Sequence, residues 1–62
     1  MAVFENHKNG VVWTNGKIGA YLQDCESLWQ PFSYFDNGNL DISEKKCNTA
    51  AKAFEAAVDI FS

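Results

Sequence analysis

The side chains able to do chemistry in this chain are few and scattered. His7 is the single histidine, Cys25 and Cys47 are the two cysteines, and the five basic residues are all lysines. A nucleophilic triad would have to bring His7 to a Ser or Cys and a carboxylate, and no G-x-S-x-G or comparable context supplies the nucleophile. A zinc site built from His7, Cys25 and Cys47 lacks a fourth ligand and the usual close ligand pairs. Asp24 and Glu26 are the nearest approach to an acid/base pair, yet residues two apart do not share a helix face. No Gly-rich phosphate loop follows a strand-like run. The expectation is a protein that is not an enzyme and has no metal, no cofactor, a solvated His7 and two buried free thiols.

Charge says more than reactivity. The net charge is −3, which disfavours direct binding to a phosphate backbone because that usually requires a basic patch. The acids are also unevenly placed. Asp24, Glu26, Asp36, Asp41 and Glu44 fall between Ile18 and Glu44 with no base among them, whereas each flanking stretch carries one net positive charge. No apolar run reaches the roughly 18 residues that a membrane span needs, and no secretory leader pattern opens the chain, so a cytoplasmic protein is expected.

The elements that must position these groups fit a single domain over residues 1–62, at the lower end of what folds without staples. Ala2 to Asn6 and Val11 to Thr14 read as short N-terminal strands or a hairpin. Asn9-Gly10, Asn15-Gly16 and Asn37-Gly38 punctuate the chain with turns. Between about 17 and 29 the apolar residues Ile18, Tyr21, Leu22, Cys25, Leu28 and Trp29 recur at helical spacing, with Pro31 as a stop, and predict a middle helix. A hairpin through Asn15-Gly16, pairing Trp13 with Ile18, is the alternative for its first third. Residues 32–35 read as a short strand. Asp41 or Ser43 then caps a long amphipathic helix over about 42–61, whose stripe runs through Cys47, Ala50, Ala51, Phe54, Ala57, Val58 and Phe61. The fold class expected is α+β.

On that frame Asp24, Glu26, Trp29, Tyr34, Asp36, Asp41 and Glu44 form an aromatic surface rimmed with carboxylates, suited to a Lys/Arg-rich partner. The last helix adds a second candidate surface. Lys45 and Lys46 near its start and Glu55 and Asp59 toward its end oppose the macrodipole, and such a broken local rule can mark function.

The short acidic chain, the absence of a catalytic set and these clustered residues resemble in build the small virus-encoded inhibitors of bacterial defence, of which anti-CRISPR proteins are the best known. The resemblance covers the whole chain and rests on no specific motif. It implies a non-enzymatic inhibitor that occupies the nucleic-acid groove of a CRISPR-Cas effector, by mimicry or by steric block, in a bacterial cytoplasm, as a monomer or weak homodimer. The alternative is a small homodimeric or accessory subunit that covers a partner through Ala53, Ala56 and Ile60 on the last helix.

Overall fold

The computed structural model describes residues 2–61 and shows a mostly β domain with one helix. Five antiparallel strands follow one another as a meander: β1 (Val3–His7), β2 (Gly10–Thr14), β3 (Ile18–Gln23), β4 (Gln30–Tyr34) and β5 (Leu40–Ile42). A single helix, α1 (Ala50–Phe61), closes the chain and packs on one face of the sheet over β3 and β4.

The middle helix expected at 17–29 does not exist, and the α+β assignment is corrected accordingly. Residues 18–23 are the central strand, paired to β2 with Trp13 opposite Ala20 and Val11 opposite Leu22. The turn before it is built by side chains. Asn15 Oδ1 accepts from the N–H groups of Lys17 and Ile18 at 3.0 and 3.1 Å, and Thr14 Oγ1 donates to the Ile18 carbonyl at 2.7 Å. Gly16 supplies the positive φ of 98° that this turn requires. The hairpin register is therefore two residues longer than a tight Asn-Gly turn would give. Helical spacing misled because β3 is buried on both faces, and such a strand presents a near-continuous apolar run. Ala20 faces the helix, Tyr21 the other side, and Cys25 and Leu28 lie exposed in the following loop.

Pro31 is not a helix stop but a buried strand residue opposite Ala20. Its carbonyl accepts from the Ser43 N–H at 2.8 Å, which continues the ladder beyond β5. Proline has no N–H to return to Ser43, and the Gln30 side-chain amide takes that place, donating to the Ser43 carbonyl at 3.0 Å. The strand expected at 32–35 thus starts two residues earlier and stops at Tyr34.

The last helix is shorter than expected, beginning at Ala50 rather than near 42. Asp41 lies within β5, and the Ser43 hydroxyl accepts from the Lys45 N–H in a local turn. The cap is Thr49, whose Oγ1 accepts from Lys52 N–H at 3.2 Å. The buried face also differs from the expected stripe. Ala53, Ala56 and Ala57 meet the sheet, whereas Val58 is 42% exposed. The small side chains let the helix sit close over Ala20, and Phe54 packs at its flank against Trp13, with ring centroids 5.4 Å apart.

Two clusters make the core. On the helix face Ala20, Cys47, Ala53 and Ala56 are buried with Trp29 and Ala50 against them. On the other face Val12, Tyr21 and Phe32 are buried beneath Tyr34 and Leu40. That second cluster needs Gly19, because a Cβ there would stand 3.0 Å from the Phe32 ring and would collide with the Trp13 carbonyl.

Candidate functional site

The meander fixes which candidate residues can share a surface. The β1–β2 turn and the β3–β4 loop lie at one end of the sheet, joined by a 2.8 Å bond from the Asp24 N–H to the Asn9 carbonyl. The β2–β3 and β4–β5 turns lie at the opposite end. Asp24 and Glu26 are exposed in the β3–β4 loop, the loop that delivers Trp29. Asp36 is exposed in the β4–β5 turn at the far end. Asp41 stands on β5 opposite Ser33, and Glu44 is exposed just after that strand. Tyr34 belongs to the second face, its ring edge-on to Phe32 at 5.1 Å. The seven residues therefore do not form one patch: Asp24, Glu26 and Trp29 share a loop, Glu44 follows β5 at that same end of the sheet, and Asp36, Asp41 and Tyr34 are distributed over the far end, the β5 edge and the opposite face.

Trp29 is held firmly. Its N–H and carbonyl both bond to Cys47 at 2.8 Å, an isolated bridge that ties the loop to the segment leading into α1. Its ring is half-buried and lies 6.4 Å from that of Phe4. Phe4 in turn stacks on Trp13 at 6.0 Å, and Trp13 meets Phe54. The result is a continuous aromatic group running from the helix flank to the edge strand β1. Its outer member is 65% exposed. Neither Phe4 nor its neighbour Glu5 stood out in the sequence, because an expected strand gives no hint of lying at the sheet edge. The one available signal was that Ala2 to Asn6 could pair on one side only, through the hairpin that follows.

On the second face Glu5 approaches Tyr34. Burial is the main cause that raises the phenol above its ordinary value of 10.0, the negative charge of Glu5 adds to it, and a hydrogen bond with Thr14 opposes both. His7 lies edge-on to Tyr21 at 6.5 Å on the same face. Among the described residues no group of His, Cys, Asp and Glu could hold a metal ion. Cys47 is buried but Cys25 is exposed, which corrects the expectation of two buried thiols. An open cleft of about 440 Å³ lies at the far end between Gly16, Lys17, Ser33, Tyr34, Asp36 and Phe61. Its lining includes one base, Lys17, and one carboxylate, Asp36.

The helix surface is also changed. Lys45 and Lys46 precede α1, so they no longer oppose its dipole; Glu55 and Asp59 remain as exposed carboxylates on its outer side. Ala53 and Ala56, expected to cover a partner, are buried on the sheet, and the shoulder they were to form with Ile60 is absent. No helix of the described residues is long and apolar enough to cross a membrane.

The chain matches no family model, no curated protein and no solved structure.

Proposed function

We propose that this chain is a non-enzymatic binding protein for a Lys/Arg-rich surface of another protein. Phe4, Trp13 and Trp29 form its contact centre, and Asp24 and Glu26 form its acidic rim. The observation that carries this reading is the placement of Phe4. A phenyl ring 65% open to water, stacked on one tryptophan and beside another, leaves aromatic area uncovered at the sheet edge. Aromatic anchors of this kind dominate binding energy at protein interfaces, while carboxylates at the rim steer and pair with bases.

The spread of the remaining carboxylates favours steric blocking over imitation of a phosphate row. Asp24 and Glu26 cannot line up with Asp36 from opposite ends of the sheet. A nucleic-acid-handling partner, a CRISPR-Cas effector among them, fits this chemistry because its groove is lined with Lys and Arg. Affinity capture from a bacterial lysate, with and without added DNA, tests the reading. The expected result is a retained basic protein that DNA releases; capture that persists unchanged in excess DNA would place the contact outside a nucleic-acid groove.

A further inference from the structure

The open edge of β1 has a defined chemistry. Asp24 donates to the Asn9 carbonyl in register with the Gly10–Gln23 pair, so Val11 and Trp13 turn their backbone groups toward β3. Gly10, Val12 and Thr14 must then bond back to His7, Glu5 and Val3. That alternation leaves the N–H and C=O of Phe4 and Asn6 pointing away from the sheet. All five residues of β1 are exposed, its pairing to β2 is regular, and no proline or bulge blunts it.

A second copy of this chain is a poor occupant of that edge. Within the residues of β1, the antiparallel register that pairs Phe4 of one copy with Asn6 of the other, and so bonds the outward groups of both, places Glu5 opposite Glu5. Like charges directly opposite destabilise a pair. Among the described residues Glu5 makes no ion pair, which leaves its charge open to a base on an incoming strand. We infer that β1 accepts an extended basic segment of the partner as an added antiparallel strand, with Lys or Arg opposite Glu5 and an apolar side chain opposite Phe4. Main-chain bonds to Phe4 and Asn6 supply affinity, and the alternating side chains supply specificity. The inference rests on the reading that the partner is basic and adds how it docks.

The probe is a capped peptide of sequence Thr-Val-Thr-Lys-Val-Thr-Val titrated into the isotopically labelled full chain. The largest amide shifts are expected at Phe4 and Asn6, with slowed hydrogen exchange at both. Asn6→Pro removes an outward N–H that no strand of the sheet uses, so the variant keeps its fold and binds the peptide at least about tenfold more weakly, on the order of 1.4 kcal/mol. Should that proline disturb the hairpin, Glu5→Lys gives the same answer: affinity for the lysine peptide falls and affinity for its Lys-to-Glu counterpart rises. Shifts confined to the β3–β4 loop, or wild-type affinity in Asn6→Pro and Glu5→Lys, would overturn the inference. Capture of a basic protein by a folded Asn6→Pro variant at the wild-type level would also overturn strand addition, while leaving the basic-partner reading intact. Loss of capture in Asp24→Lys/Glu26→Lys supports the basic-partner reading, and capture unchanged in that variant would overturn its acidic rim.

Discussion

At the scale of single residues, three positions decide more than their size suggests. Gly19 is the first. It faces Thr14 across the β2–β3 pair, and a Cβ would lie 2.8 Å from the Thr14 Cα as well as against the Phe32 ring. Gly19→Ala should therefore destabilise the domain by roughly 1 to 3 kcal/mol or more, read as a lowered urea midpoint, because backbone has to move. Gln30 is the second. Gln30→Ala would leave the Ser43 carbonyl without the donor that stands in for the missing proline N–H, at a cost of about 1 kcal/mol where the site stays partly dry. Tyr34 is the third, and its effect depends on pH. Its folded pKa is raised, so the protonated phenol is favoured by folding; that contribution is complete below the unfolded value near 10.0 and is lost as pH rises through the folded value. Glu5→Gln should bring the phenolate absorbance transition to lower pH, and an unchanged transition would mean that burial alone raises it.

At the scale of elements, the question is why some were legible and others were not. The two N-terminal strands show in Val11, Val12, Trp13 and Thr14 and in the Asn-Gly turns around them. The last helix shows in its alanines and aromatics, yet its start did not, because Asp41, Ser43 and Thr49 can all cap by type, and it is the bonds of Ser43 to Pro31 and Gln30 and of Cys47 to Trp29 that hold 43–49 out of the helix. Thr49→Ala should cost about 1 kcal/mol of stability, and Asp41→Ala much less by this route; thermal unfolding followed by circular dichroism compares them. β3 was unreadable for a different reason. Its two buried faces serve two separate clusters, one under α1 and one around Phe32, so an alternating pattern never appears. The candidate site shared this fate: with β3 in place of a helix, Asp24 and Glu26 moved to a loop beside Trp29 and away from Asp36 and Asp41.

At the scale of the molecule, the β3–β4 loop end of the sheet carries Trp29 with Asp24 and Glu26, an aromatic group runs from Trp29 to Phe4 and Trp13 along the β1–β2 pair, and the other end carries an open cleft. The helix covers one face, and the second face closes over its own cluster with Tyr34 and Leu40. What remains for a partner is the edge of β1 with Phe4, and the loop carrying Asp24, Glu26 and Trp29. Binding through this end should weaken as salt rises, since the rim charges lie in water and are screened beyond about 10 Å at 0.1 M salt. Phe4→Ser should lower affinity without lowering stability, because a ring 65% exposed contributes little to the core. The most direct measurement is the affinity of the captured basic partner for two double variants, determined by calorimetry at one salt concentration. Asp24→Lys/Glu26→Lys is expected to weaken binding by about tenfold or more, while Asp36→Lys/Asp41→Lys, at the far end and the β5 edge, stays within about twofold of the original chain. Equal losses in both variants, or a larger loss in the second, would contradict that expectation.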